Sequence, residues 1–174
     1  MTKGENQNRA EQLLMIFATL VLILSIGFFL FYLQIACQKI LRREFEQEYY
    51  NLIVNANRLE FPSVRKAVEE FGGPLDYPRV RMMLKCDFLA LSYLLEHANK
   101  NLKLPRSRGE RLVLSYFRLT FLVLRICHML KVGEKPAVLK LTEILQYLGN
   151  VVGERVSRNR MGNLMASSIF LNAR

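Results

Sequence analysis

The chain is poor in the residues that proteins use to move protons and hold metals. Two His, two Asp and three Cys are spread over 174 residues. Cys37, Cys86 and Cys127 are odd in number and far apart, which argues against a disulfide framework and a CxxC metal site. Each falls in an apolar helical stretch, where a reduced structural thiol is the default. Cys127 and His128 are adjacent, so they point to different faces of a helix and make a poor metal pair. His97 follows Glu96 near a helix end, a place for a solvated or capping imidazole. His97 and His128 are weak candidates for an axial ligand to a haem or pigment, and nothing else in the chain supports that role. The expectation is no cofactor and no metal.

Organised reaction centres are missing too. No phosphate-binding glycine loop, nucleophile elbow, HExxH or EF-hand loop occurs, and Gly72-Gly73 leads into a proline turn instead of a helix N-terminus. Glu69-Glu70 and the trio Glu44, Glu46 and Glu48 fall on what read as solvated helix faces. The chain is therefore expected not to be an enzyme.

Acidic residues are in deficit, 15 Asp and Glu against 25 Lys and Arg, for a formal charge of +10. From Leu13 to Ala36 there is no charge at all, and those 24 residues would make a helix of ~36 Å at ~1.5 Å per residue. A bilayer's hydrocarbon core is ~30 Å thick, so the segment predicts one tilted transmembrane helix. It ends in LQIACQKILRR, residues 33–43, which raises the question of a lipidated Cys37 behind a cleaved leader. A secretory leader has an apolar region of only ~7–15 residues, and Gln34 stands where a lipoprotein box wants leucine. The segment is read as a permanent anchor, and Cys37 as unlipidated.

Lys3 and Arg9 before the span are balanced by Glu5 and Glu11, whereas Lys39, Arg42 and Arg43 follow it. The positive-inside rule then places the N-terminus outside and the body in the cytoplasm or its equivalent. The organisation expected is a polar leader over 1–12, a span over 13–36, a helical bundle over 37–156 and a basic, apolar tail over 157–174. A body of that size suits one domain.

The body is helical in period, and the fold class expected is all-α, with four to five helices after the anchor. Residues 38–60 read as a continuation of the span, with Leu41, Phe45, Tyr49, Leu52, Ala56 and Leu59 in one apolar stripe and Arg42–Glu46 paired on the polar side. A short helix from Pro62 is stopped by Gly72-Gly73. A third covers about 78–99, with Val80, Leu84, Leu91, Leu95 and Ala98 inward. Ser107 and Glu110 have the spacing of a capping box.

They introduce LVLSYFRLTFLVLRICHML, residues 112–130. Its apolar residues favour membrane insertion by about 5 kcal/mol, and Arg118 and Arg125, at about 3 each, cancel that. The segment therefore reads as the buried central helix of the bundle, with Arg111, Arg118 and Arg125 seven apart on one face and His128 near them. After the turn KVGEKPAV, Pro136 opens a last helix to about Val156, with Val138, Leu141, Leu145, Leu148 and Val152 inward. Gly149 and Gly153 share one side of it. Each costs about 1 kcal/mol against alanine in a helix, so the pair predicts a close approach by another element. The tail, with Arg155, Arg158 and Arg160 ahead of Leu164 and Phe170, reads as a partly ordered terminus, or as a peptide that docks on a partner or on the membrane surface.

These features fit best a non-catalytic accessory, assembly or stabilising subunit of a larger membrane protein complex. The residues do not choose among respiratory, photosynthetic, secretory and transport complexes, and they leave self-association open. Two alternatives stand beside it. One is a membrane-anchored binder of nucleic acid or anionic lipid, through Lys39, Arg42, Arg43, Arg111, Arg118, Arg125, Arg155, Arg158 and Arg160. The other is a signalling adaptor that uses an unbroken helix from span to body.

Overall fold

A computed structural model describes residues 3–43, 45, 49–70, 76–101, 105 and 107–172, with side chains described from residue 13 to residue 158 within those ranges, Asn101 excepted. Glu44, Glu46, Glu48, Gly72 and Gly73, and the side chains of Lys3, Glu5, Arg9, Glu11, Arg160, Leu164 and Phe170, all invoked above, lie outside them. The described residues form six helices and no strand: α1 (Lys3–Leu41), α2 (Tyr50–Asn57), α3 (Phe61–Glu70), α4 (Tyr77–Asn101), α5 (Arg108–Met129) and α6 (Lys135–Asn172). They divide into two compact units, Met1–Lys39 and Ile40–Arg174.

The first unit is the helix α1. From Leu13 to Leu41 it is long and apolar enough to cross a membrane, and none of its most apolar stretch is buried. Its apolar side chains point in all directions, as a lipid-facing helix requires.

In the second unit the hub is α6, against which α2, α3, α4 and α5 all pack. Val138, Leu141, Leu145, Leu148 and Val152 are buried as their spacing predicts, and Ile144, Tyr147 and Val151 are buried with them. Burial on so wide an arc is the mark of a central helix. The expectation that residues 112–130 supply that helix is thus corrected. Only a third of the most apolar stretch of α5 is buried, and Leu122, Ile126 and Met129 are exposed. Composition ranked α5 as the oilier segment, but α6 interleaves small residues among its aliphatics, so four neighbours can close on it. The helix also runs on to Asn172, where a terminus fraying after Val156 was expected.

The reading of 38–60 as one helix fails as well. The α1 helix ends at Leu41, a turn follows at Arg42, and α2 restarts at Tyr50. The stripe drawn through that region breaks accordingly: Leu52 is 70 % exposed and Ile53 is the buried residue of α2. Leu59 is buried too, but it is delivered there by the helix stop. Arg58 takes a left-handed backbone, φ 51° and ψ 45°, and its N–H donates to the Val54 carbonyl. The N–H of Leu59 donates to the same oxygen at 3.1 Å.

A similar stop ends α5. Lys131 has φ 53°, its N–H donates to the His128 carbonyl at 3.2 Å, and that of Val132 reaches Cys127 at 3.0 Å, the paired bonds of a Schellman motif. Neither stop uses a glycine, and no glycine among the described residues has positive φ.

Helices α3 and α4 begin within a residue of the expected Pro62 and Pro78, and in α4 Leu84, Leu91, Leu95 and Ala98 are buried and Val80 is half-buried. Asp87 of α4 is buried and accepts hydrogen bonds from the backbone N–H groups of Glu60, at 2.9 Å, and Phe61, at 2.6 Å. A side chain from one helix thus satisfies donors at the start of another, a role N-cap residues usually fill locally. Burial pushes the Asp87 carboxyl above the usual carboxylate range, and the bonds from Phe61 and Glu60 only partly oppose this.

Candidate functional site

Two groups of residues carry the polar chemistry of the body, and they differ in kind. The first is a row along α6. Asn150 Oδ1 accepts the Tyr50 backbone N–H at 2.9 Å. One turn on, both Glu154 oxygens lie 3.2 Å from Arg43 Nη2, and Arg158 Nη2 donates to Oε1 of the same carboxylate at 2.7 Å. Beside it Arg155 pairs with Glu110 of α5, and both side chains are largely buried.

Ser107 Oγ accepts the Glu110 N–H at 3.2 Å, which makes half of the predicted capping box, while the Glu110 carboxylate takes Arg155. Glu110 Oε2 and Arg155 Nη1 are buried without a hydrogen-bond partner. The Arg43 guanidinium also sits 5.1 Å from the Phe45 ring centre, and Phe45 meets Tyr147 edge-on at 5.7 Å. Burial raises the Tyr147 hydroxyl's pKa above that of an ordinary tyrosine, although the Arg43 charge and hydrogen bond pull it down. Tyr147 therefore stays a neutral phenol. A cavity of about 450 Å³ opens beside it, lined among others by Leu41, Glu143, Gln146 and Asn150.

The row explains the two glycines. A Cβ at Gly149 would stand 3.1 Å from Tyr50 Cβ, and one at Gly153 would collide with Tyr49 Cβ. The approach they allow is made by the chain entering α2. Arg43, Arg155 and Arg158, counted in sequence among the free basic residues, are here engaged by carboxylates. That arrangement is structural: it locks the segment after α1 onto α6.

The second group is the outer face of α5. Arg111, Arg118 and Arg125 are exposed and run along one edge, as their seven-residue spacing predicts. Beside them, at 180° to 220° from buried Val113 on a 100° wheel, lie Ser115, Leu122 and Ile126. Leu122, Ile126 and Met129 are 51 %, 45 % and 73 % exposed, and Leu130 and Val132, just past the helix end, are exposed as well. The face carries no acid, because Glu110, the one carboxylate of α5, turns inward to Arg155.

The histidines are committed elsewhere. His128 Nδ1 lies 2.6 Å from Glu134 Oε1, and its ring stacks on Tyr77 at 3.6 Å between centres. His97 is exposed and loosely stacked on Tyr93, 6.3 Å away. No cluster of three or more His, Cys, Asp or Glu able to hold a metal occurs among the described residues. None of the three cysteines forms a disulfide; Cys37 is buried, Cys127 half-buried and Cys86 exposed. Lys39 and Arg42 are exposed.

Compared with known proteins, the chain matches no family model, no curated protein and no solved structure.

Sequence reasoning missed Asp87, Glu154 and the apolar half of the α5 face. Glu154 had a readable signal, its four-residue spacing from Arg158. Asp87 had none, since its donors lie 26 and 27 residues away.

Proposed function

We propose that the protein is a non-catalytic, single-pass membrane subunit that assembles with, or stabilises, a larger membrane protein complex. The α1 helix crosses the bilayer with its N-terminus outside, and the Ile40–Arg174 body sits on the cytoplasmic side. The observation that carries this reading is the bare apolar surface of α1, which needs lipid or other spans around it. Lys39, Arg42 and Arg43 at its end favour the inner leaflet. Several polar groups of the body hold α2, α3 and α5 to α6, which is the economy of a scaffold.

The signalling alternative relied on one helix unbroken through residues 38–60; the end of α1 at Leu41 favours the assembly reading over it. The nucleic-acid alternative counted arginines that are paired with Glu110 and Glu154. The arginines of α5 remain, and they lie beside apolar surface, which suits lipid better than phosphodiester.

Gentle detergent extraction followed by native sizing tests the proposal: the chain should run with co-purifying membrane subunits, and a lone monomer would overturn it. Cys86, being exposed, reports topology. A membrane-impermeant thiol reagent should label it in inverted vesicles and leave it untouched in intact cells.

A further inference from the structure

We propose that the outer face of α5 is a lipid-contact surface that seats the body on anionic headgroups, with Leu122, Ile126 and Met129 at the acyl boundary and Arg111, Arg118 and Arg125 on phosphates. The inference rests on the reading of α1 as an anchor and adds a second, peripheral contact made by a different helix.

Three observations converge. The face is apolar and exposed where the sequence would have it buried. Its charges are all of one sign and lie along one edge of the apolar strip, the layout of helices that lie in a membrane interface. Their long apolar stems let the guanidinium groups reach phosphate while the neighbouring leucine and isoleucine sink deeper. A protein partner would be expected to meet a mixed pattern of charge with both donors and acceptors. Here one uniformly acidic surface is called for, and an anionic leaflet supplies it. The body is covalently held to the anchor, so even a weak contact is populated: tethering converts it to an intramolecular event at high effective concentration.

By length and composition α5 could itself cross a membrane, but only one side of it is free to meet lipid. Its other side is occupied. Phe117 stacks on Phe88 of α4 at 4.0 Å between ring centres, Phe121 lies beneath Arg81, and Val113 and Leu124 are buried. The helix is fixed in the body by one face and rests on lipid by the other.

The chain contains no tryptophan, so a Leu122→Trp variant carries a single reporter on this face. The full chain is reconstituted in phosphatidylcholine vesicles with or without phosphatidylglycerol at about 30 mol %. Carbonate resistance is checked first in both, which tests the anchor separately. With phosphatidylglycerol present, phospholipids brominated near the headgroup should quench the reporter and aqueous iodide should not. Adding Arg111→Gln, Arg118→Gln and Arg125→Gln should shift the seated-to-free ratio by roughly a hundredfold, at about a fivefold effect per charge. Iodide access in a carbonate-resistant chain would overturn the inference and leave the anchor standing. So would equal quenching with and without phosphatidylglycerol, or protection that appears only when a co-purified subunit is restored.

Discussion

Gly153 and Tyr49 approach so closely that a Cβ on the glycine would overlap the Cβ of the tyrosine. The contact seats the chain entering α2 in a notch on α6, one residue from the Glu154 carboxylate that holds Arg43. In an isolated helix Gly→Ala is favourable by about 1 kcal/mol. Here the methyl group must displace backbone, so Gly153→Ala should destabilise the body by about 1–3 kcal/mol, the usual cost of overpacking. Gly149→Ala meets its neighbour at 3.1 Å and should fall near zero, because propensity and crowding oppose each other. Denaturant unfolding of the full chain in detergent, followed by far-UV circular dichroism, orders the two. Equal stability for both variants would mean that the notch is looser than described.

The Glu110–Arg155 pair joins α5 to α6 in a largely buried setting. Breaking such a pair strands a charge and costs about 3–5 kcal/mol, whereas replacing both partners by apolar residues is often neutral. Glu110→Leu and Arg155→Met should therefore each lower stability sharply, and the double variant should recover most of the loss. The buried atoms without partners, Glu110 Oε2 and Arg155 Nη1, strengthen that expectation, since apolar replacements remove two unmet polar groups. Additive losses in the same unfolding assay would show that the pair does not act as a unit.

Much of this body was legible in its sequence, and the failures have physical reasons. The inward residues of α4 and α6 follow from a helical period that one strong apolar face imposes, and Val138, Leu141, Leu145, Leu148 and Val152 are all buried. The break after Leu41 is invisible because no proline or glycine marks it. What ends the helix there is tertiary: Arg43 is drawn to Glu154 and Phe45 to Tyr147. Centrality was misread for a related reason. Hydropathy measures how oily a segment is, while burial depends on how many neighbours can reach it. Glycine at positions 149 and 153 opens α6 to close approach, and α5 has no such opening. The row of arginines on α5 was correctly placed on one face, but the exposed leucine and isoleucine beside it look in sequence like any core stripe.

Asp87 gives the body a predictable pH response. Its folded-state pKa is raised by burial, while in the unfolded chain an aspartate titrates near 4. A group raised on folding contributes stability that is fully present below its unfolded value and is lost as pH rises through its folded value. Wild type minus Asp87→Asn should therefore grow more favourable to the wild type as pH falls from 7 toward about 4. The asparagine keeps an acceptor for the Glu60 and Phe61 N–H groups, so it subtracts the geometry and leaves the titration. Asp87→Ala removes the acceptor as well and should cost about 1–3 kcal/mol at every pH, the penalty of buried donors left unmet. Thermal unfolding of the three chains at matched pH values separates these effects, and a pH-independent gap between wild type and asparagine would refute the raised titration.

The ends of α2 and α5 make the reverse argument from glycine's absence. Arg58 stands at φ 51° and ψ 45°, a region that costs an ordinary residue about 1–2 kcal/mol and that glycine enters freely. Its side chain is exposed, so nothing in the packing compensates. What holds the conformation is the pair of hydrogen bonds to the Val54 carbonyl and the burial of Leu59 just beyond. Arg58→Gly should relieve the strain and keep both bonds, for a net gain of about 0.5–1 kcal/mol after the glycine's larger unfolded-state entropy is counted. Arg58→Val, with a branched Cβ in the same backbone, should lose more than the glycine gains. If glycine at 58 lowered the unfolding midpoint instead, α2 would have to end by some route other than the left-handed stop, and Leu59 would not be delivered to the core by it.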